Sequence, residues 1–276
     1  MSHFTIDQLV DQLKNGQLNR RGFVKQATAL GVSAAAAGMM ARNVVAQDAS
    51  PAAGGTGAVK LTSITREEFN AALAEEFDFS GAQPGGEIIQ VDTTDIQTLN
   101  PTLVDDVYSS WIVGLLYDGI IGTNPIDGTD APGLADYWEI ADDDVTYTFY
   151  LNENAKWQDG TPLTSADVEF TFNSVLAEDS LSVRRATVAA TLKELVVIDD
   201  KTFQLVALAP SATFVTDTAG QFSILPKHIW ENVPFADFGA DPGSTGQDAS
   251  RVVGSGAFKF VEYVKGSHWT ATRFED

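Results

Sequence analysis

Cysteine is absent from the 276 residues, and histidine occurs only three times. Without cysteine the chain cannot form a disulfide, supply a thiolate nucleophile or bind zinc or an iron–sulfur cluster through sulfur. It also contains no cysteine that could carry a lipid anchor behind an export signal. His3, His228 and His268 are scattered along the sequence, which does not favour a histidine-rich metal site. We therefore expect neither a metal nor a cofactor.

Basic residues are also scarce, at 17 Lys and Arg against 38 Asp and Glu, for a net charge of −21. Five of the basic and two of the acidic residues lie within 1–46, so residues 47–276 carry a net charge of −24. A field of this sign repels phosphate backbones and anionic lipid surfaces. We expect no nucleic-acid partner. The field mildly attracts cationic solutes, although an acidic surface that only keeps the chain soluble explains the same composition.

Long hydrophobic runs are missing as well. The most apolar stretch is ATALGVSAAAAGMM at 27–40, which is short and rich in alanine and glycine. A transmembrane helix needs about 20 predominantly apolar residues. This stretch is therefore a weak candidate for a membrane span.

The same stretch has the flanks of a signal peptide. The basic pair Arg20 and Arg21 precedes it, and the small-residue sequence ARNVVA, ending at Ala46, follows it. A charged, then apolar, then small-residue order is typical of an export signal, and the paired arginines with Phe23 resemble the twin-arginine type. We predict that residues 1–46 are such a signal, cleaved after Ala46. The alternative is an ordinary amphipathic helix that happens to contain two arginines.

Residues 47–84 are predicted to be a linker followed by a short helix. Residues 47–60 consist mainly of alanine, glycine, serine and proline, which is typical of a flexible linker. Thr65 and Glu68 have the spacing of a capping box at a helix start. The apolar positions of this helix lie four residues apart at Phe69, Leu73 and Phe77.

From residue 85 onward, strand and helix patterns alternate, so we predict a mixed α/β or α+β domain at 85–276. Strands are expected at 86–91, at 145–151 with strict alternation, on both sides of a turn at 199–201, and within 252–264. A helix is predicted over 104–117, with Val107, Trp111 and Leu115 on its apolar face, and another starts at the capping residue Thr164.

Several residues that could be taken for functional ones have a structural explanation. Trp157 is expected to pack beneath a turn at 157–162, where the Asp-Gly pair permits positive φ. The three aspartates at 142–144 lack the ligand spacing of a calcium loop, and we interpret them as an exposed turn. His228 is interpreted as part of a helix start rather than as a metal ligand. Neither a Gly-x-Ser-x-Gly elbow nor a phosphate loop occurs. We therefore expect that the chain has no catalytic residues and is not an enzyme.

Six segments, taken in order, resemble the family 5 extracellular solute-binding proteins, the peptide/nickel-type binding components of ABC importers. They are LNP at 99–101, LYDGI at 116–120, PGLADYW at 132–138, TYTFYL at 146–151 continuing to KWQDGTPLTSADV at 156–168, ILPKHI at 224–229, and VGSGAFKF at 253–260. The family usually has proline where this chain has Ala257. The acidic anchor for a peptide's amino group lies in the family's second lobe and has no counterpart here.

The resemblance implies a periplasmic-binding-protein-like class II clamshell, of which mainly the first lobe is present. It implies that the protein binds a solute outside the cytoplasm, an oligopeptide above all, for import by an ABC transporter. The expected partners are the permease subunits, and the binding protein is expected to be a monomer. An exported scaffold or sensory protein that uses the lobe for protein contacts, or an exported hydrolase, are the alternatives.

In such a lobe, ligand contacts are expected from strand ends and loops. Thr93, Thr94 and Asp95 follow the first predicted strand and offer hydroxyls and a carboxylate. The Ser255–Gly256 turn is expected to expose backbone amides, and Phe222 to supply an apolar wall. For each of these residues, a role in the core or in a turn is the competing explanation.

Overall fold

The computed structural model describes residues 6–14, 20–30, 63–78, 80–83 and 85–275. The chain divides into two compact units, one formed by residues 1–59 and 124–129 and the other by residues 60–123 and 130–276. The predicted boundaries at residues 46/47 and 84/85 stay predictions, and Ala46 lies outside the described residues.

The first unit contains two short helices, α1 (Ile6–Lys14) and α2 (Arg20–Ala29). Leu9 and Leu13 of α1 are buried together with Phe23 and Ala27 of α2. The arginine pair of the predicted signal forms the first two residues of α2. Among the described residues, no helix has both the length and the apolar character needed to cross a membrane.

The second unit is mixed α and β. Its helices are α3 (Arg66–Glu76), α4 (Val107–Leu116), α5 (Ser165–Leu176), α6 (Arg185–Thr191) and α7 (Lys227–Trp230), with a π-helical turn at Val215–Ala219 and 3-10 turns at Phe235–Asp237 and Ala249–Arg251. Its strands are β1 (Ile121–Thr123), β2 (Asp130–Pro132), β3 (Ala135–Ile140), β4 (Thr146–Leu151), β5 (Leu192–Val197), β6 (Thr202–Ala207), β7 (Phe258–Val264) and β8 (His268–Arg273).

A four-stranded antiparallel sheet in the order β3-β4-β6-β5 forms the centre of this unit. On β4, Tyr147, Phe149 and Leu151 are buried while the residues between them are partly exposed, which confirms the half-buried strand. Phe149 stacks on Phe203 of β6 with ring centroids 5.2 Å apart. The β1–β2 and β7–β8 pairs are separate two-stranded antiparallel sheets. The predicted hairpin around 199–201 is confirmed as the connection between β5 and β6.

Two helices start at the predicted capping residues. Thr65 and Glu68 form a reciprocal capping box at the start of α3. At the start of α5, the Thr164 N–H donates to Asp167 Oδ2 at 2.8 Å. The second oxygen of the buried Asp167 carboxylate accepts the Lys227 N–H at 2.9 Å. Asp167 therefore joins the start of α5 to the start of α7.

The turn predictions are also confirmed. Residues 141–145 connect β3 to β4, and the three aspartates at 142–144 are exposed, with Asp144 at φ 59°. The Thr146 hydroxyl donates to Asp143, and this is the main reason that the pKa of Asp143 is lowered. Trp157 is fully buried beneath its turn, in which Gly160 has φ 89°.

The strand predicted at 86–91 is wrong. Residues 85–92 form no strand, and Ile88, Ile89 and Val91 are 93%, 80% and 88% exposed. The segment has the composition of a strand. Composition alone does not make a strand, however, since a strand needs a neighbour to accept its backbone hydrogen bonds, and no such neighbour occurs in the described part of the chain.

Candidate functional site

The apolar face predicted for the helix at 104–117 is the exposed one. Val107, Trp111 and Leu115 do share a face of α4, but they are 58%, 50% and 37% exposed. The buried face is formed by Ser109, Ile112, Val113 and Leu116. Apolar side chains grouped on an exposed face mark an interaction surface more often than scattered ones do. We call the face made by Val107, Trp111 and Leu115 the α4 face.

Two aromatic rings and a threonine hydroxyl meet at the start of α4. The helix begins after Asp106, whose carboxylate accepts the Ser109 N–H at 2.9 Å. The rings of Tyr108 and Trp111 lie edge to face with centroids 5.6 Å apart. The Tyr108 hydroxyl is 2.6 Å from Thr93 Oγ1, and both groups are exposed. The predicted contact residue Thr93 therefore lies beside the α4 face.

The other two residues of the 93–95 segment differ in exposure and partner. Thr94 is exposed, whereas the partly buried Asp95 accepts the Gly266 N–H at 3.0 and 3.1 Å through its two oxygens. Asp95 thus holds the turn between β7 and β8 against the 93–95 segment. Burial, followed by the charge of Asp95, raises the pKa of Tyr263 on β7.

The glycines near residue 255 serve close packing of the backbone. A Cβ on Gly254 would lie 1.8 Å from the Leu116 carbonyl oxygen, and one on Gly256 would lie 2.6 Å from that of Leu115. The Gly256 N–H donates to the Leu116 carbonyl at 2.8 Å. The expectation that this turn exposes the Gly256 amide to a ligand is therefore wrong, because α4 already accepts its hydrogen bond.

Gln158 fixes the same turn from the other side. Its Nε2 donates to the carbonyls of Gly256 at 2.9 Å and Phe258 at 2.7 Å, and its Oε1 accepts the Gly254 N–H at 3.2 Å. The side chain is buried. Every hydrogen-bonding group of this amide is therefore committed to the protein.

Ser255 faces a groove of about 1000 Å³. Its Oγ accepts the Asp118 N–H at 2.9 Å. The Asp118 carboxyl lines the groove, and burial raises its pKa against the opposing effects of Ser255 and Arg66. The wall also includes Asn152, Lys156, Phe258 and Arg273. This groove combines a partly buried acid with basic side chains.

Phe222 lies in the hydrophobic core. It is 6% exposed, and its ring meets Phe172 of α5 edge to face with centroids 5.2 Å apart. The competing explanation, a role in the core, is therefore the one that the structure supports for this residue. Ligand contact by Thr93, Thr94, Asp95, Phe222, Ser255 or Gly256 stays a prediction.

His228 is the second residue of α7, and its Nε2 lies 2.7 Å from Asp159 Oδ2. The histidine thus links the start of α7 to the 157–162 turn. Within the described ranges, no group of three or more His, Asp or Glu side chains is arranged to hold a metal ion.

Sequence reasoning missed the contributions of Tyr108, Gln158 and Lys201. The Lys201 ammonium donates to the carbonyls of Asn152 at 3.0 Å, Leu163 at 2.9 Å and Ala155 at 3.4 Å. The side chains of Gln158 and Lys201 hydrogen-bond to segments that are remote in sequence, and a local sequence pattern does not predict such contacts. Tyr108 was within reach of sequence reasoning, because an aromatic residue beside Trp111 in a predicted helix start is visible in the sequence.

The described fold matches known structures of one class. The oligopeptide-binding protein AppA of Bacillus subtilis, solved with a nonapeptide, superposes with a TM-score of 0.60 at 26% identity over 66% of this chain and 35% of that one. The chain therefore has the mixed α/β fold of the periplasmic binding proteins, in part.

The family follows from the sequence match. Residues 131–276 match the model described as bacterial extracellular solute-binding proteins, family 5 Middle, and this chain belongs to that family. A probable peptide-binding protein YejA of Agrobacterium fabrum is 30% identical over 210 residues, 73% of this chain and 32% of the relative. A putative ABC transporter peptide-binding protein of Brucella ovis is 35% identical over 134 residues, 48% of this chain and 24% of the relative. The chain thus spans about a quarter to a third of these relatives.

Proposed function

We propose that this chain forms part of an extracytoplasmic binding protein that captures an oligopeptide, or a similar small solute, for import by an ABC transporter. The observation that carries the proposal is the family membership, together with relatives whose names describe peptide binding. Structural similarity at 26% identity to a binding protein solved with a nonapeptide supports the same ligand class. The permease subunits are the proposed partners, and the binding protein acts as a monomer without covalent chemistry.

In this proposal the ligand-facing surface of the lobe is the α4 face with its neighbours Tyr108, Thr93 and Thr94. Peptides in binding proteins are held through their main chain, which needs exposed hydrogen-bonding groups beside apolar surface. The hydroxyl pair Thr93–Tyr108 supplies the former, and Trp111 with its neighbours supplies the latter. Asp95 contributes indirectly, because it holds the β7–β8 turn beside this segment.

The proposed mechanism is closure of two lobes around the solute. A ligand that contacts both lobes favours the closed arrangement, and the transporter then recognises that arrangement. The residues of this chain supply one of the two surfaces. The net charge of −24 on residues 47–276 favours solutes with positive charge over anionic ones through long-range attraction.

Export by the twin-arginine route is proposed from Arg20 and Arg21, and it implies an extracytoplasmic location. This route accepts proteins that have folded before they cross the membrane. The proposal therefore agrees with the absence of cysteine, because the lobe needs no disulfide to fold.

The test is peptide binding to the complete gene product, measured by isothermal titration with a pool of tri- to nonapeptides and then with single peptides. Wild-type protein is expected to bind with a 1:1 stoichiometry, and mass spectrometry is expected to recover the peptides intact. Trp111→Ala should weaken binding at least about tenfold, the effect of losing about 1.4 kcal/mol of ligand contact.

Leu208→Ala is the control, because Leu208 is 56% exposed and directly follows β6, whose neighbours in the sheet are β4 and β5. It should bind as wild type does. Hydrolysed peptide in the recovered pool would refute the binding function in favour of an exported hydrolase. Absence of any peptide binding, combined with crosslinking to a membrane protein other than a permease, would favour the scaffold or sensory alternative.

A further inference from the structure

The N-terminal segment of the second unit is fixed to the sheet at its free edge. The Ser63 N–H donates to the Trp138 carbonyl at 3.1 Å, and the Trp138 N–H donates to Ser63 Oγ at 2.8 Å. Trp138 lies on β3, which has only β4 as a neighbour in its sheet among the described residues. Ser63 therefore covers part of an edge strand, which would otherwise present unpaired backbone groups.

Arg66 of the same segment is bound by three groups of the lobe. Its Nε donates to Asp136 Oδ1, and its Nη2 donates to the Gly133 carbonyl and, at 3.4 Å, to the Ala135 carbonyl. The side chains of Arg66 and Asp136 are each about two-thirds buried, at 32% and 31% exposure. The capping box at Thr65 sets the direction in which Arg66, the first residue of α3, leaves the backbone.

The receiving groups are held in place without help from Arg66. Asn152 Nδ2 donates to both oxygens of Asp136, at 3.0 and 3.3 Å, and the Asn152 N–H donates to the Leu134 carbonyl at 2.9 Å. The backbone at Gly133 is tightly packed, since a Cβ there would lie 2.5 Å from the Gly119 carbonyl oxygen. The position of the Gly133 carbonyl is therefore fixed by packing.

The arrangement matches the chemistry of one cation. A guanidinium group presents several N–H donors in a rigid plane, whereas an ammonium group is a compact point charge. One carboxylate oxygen and two carbonyls placed around a single side chain suit the planar donor set. Asp118, which lines the adjoining groove, adds a second acidic group whose interaction with Arg66 is attractive.

We propose that Asp136 and the carbonyls of Gly133 and Ala135 form a guanidinium-binding site, which the chain's own Arg66 occupies and which accepts the guanidinium group of another molecule when Arg66 is withdrawn. Residues 63–76 then act as a detachable strap across the edge of β3. The site is independent of the peptide-binding function, since it rests on contacts within this lobe alone. Its ligand class is an arginine side chain or a free alkylguanidinium.

The experiment empties the site in the full chain with Arg66→Ala and measures binding of methylguanidinium by isothermal titration, with methylammonium as the reference cation. Arg66→Ala is expected to bind methylguanidinium saturably and at least about tenfold more tightly than methylammonium, because only the planar cation satisfies all three acceptors. Wild type, whose site is filled, should bind methylguanidinium at least about tenfold more weakly than Arg66→Ala does. The same is expected of the double variant Arg66→Ala with Asp136→Asn. Equal affinity for the two cations, or no binding to Arg66→Ala, would overturn the assignment.

Hydrogen exchange at the Trp138 amide tests the strap separately. Exchange should rise at least fivefold in Arg66→Ala and in Arg66→Lys, because lysine keeps the charge but loses the planar donor set. It should be unchanged in Glu75→Ala, an exposed position in the last turn of α3. If circular dichroism shows that Arg66→Ala does not fold, the exchange measurement is made on Arg66→Lys instead. Unchanged exchange at the Trp138 amide in folded Arg66→Lys would refute the role of Arg66 in holding the strap.

Discussion

Replacing Gln158 with methionine should strongly destabilise this lobe. Methionine has a similar length but no amide, so the change leaves the Gly256 and Phe258 carbonyls and the Gly254 N–H without their partner. Each buried polar group left unpaired costs about 1–3 kcal/mol. For three such groups, one of them only partly buried, we expect a loss of about 3–5 kcal/mol.

The assays are urea denaturation and thermal unfolding, both followed by the fluorescence of the five tryptophans. For a domain of this size, about 1 kcal/mol corresponds to a shift in Tm of about 2–4 °C, so the melting temperature should fall by about 6–20 °C. Gln204→Met is the matched control, because the Gln204 amide donates to a single partly buried hydroxyl, that of Thr148, at 3.1 Å. The control should lose less than about 1 kcal/mol.

Gln158→Glu adds a pH test of the same reasoning. The new carboxylate would keep an acceptor for the Gly254 N–H but would face two carbonyl oxygens in place of a donor. Its folded pKa should rise above the usual value of about 4.3. The variant should therefore be most stable below pH ~4 and lose stability as the pH rises through the raised pKa. A loss below about 1 kcal/mol in Gln158→Met, or a Gln158→Glu variant that is stabilised by rising pH, would refute the assigned hydrogen bonds.

Three further predictions concern Gly254, Asp118 and the arginine pair. Gly254→Ala should abolish folding or cost at least about 3 kcal/mol in urea denaturation, since its Cβ would overlap the Leu116 carbonyl. Burial raises the pKa of Asp118 above 3.8. The protonated carboxyl therefore stabilises the fold below pH 3.8, and this contribution is lost as the pH rises through the folded pKa. Asp118→Asn should remove this dependence of the unfolding free energy on pH. Arg20→Lys with Arg21→Lys should reduce the extracytoplasmic fraction at least tenfold by cell fractionation, and unchanged export would contradict a twin-arginine signal.

The parts of the fold that could be predicted from the sequence depend on local chemistry. The capping box at Thr65 and the helix start at Thr164 are decided by residues within one turn of each other, and the structure has both. The alternation on β4 is similarly local, because successive strand side chains point to opposite faces. In each case the interaction that decides the structure lies within one turn or one strand.

The face of α4 could not be chosen on the same grounds. Its sequence has two apolar faces, one with Val107, Trp111 and Leu115 and the other with Ile112, Val113 and Leu116. Periodicity alone cannot decide which of two apolar faces packs on the core. In the structure the Gly254–Gly256 turn lies against the backbone at Leu115 and Leu116, a contact between segments remote in sequence that periodicity does not contain.

The candidate site was less predictable than the fold, since its residues are placed by remote contacts. Thr93 was named from sequence as a loop hydroxyl, but its position beside Tyr108 depends on a contact 15 residues along the chain. The Gly256 amide was expected to be free because glycine permits close approach. That reasoning was sound in general, but the approaching group is the protein's own helix α4.

The bonds from Gln158 to the Gly254–Phe258 segment also limit when the lobe can fold during synthesis. The carbonyl of residue 258 that Gln158 binds is made 100 residues later. At about 5–20 residues per second, the ribosome needs roughly 5–20 s to cover that interval. During this time the Gln158 amide lacks its partners in residues 254–258, so this part of the core can be completed only after residue 258 has been made.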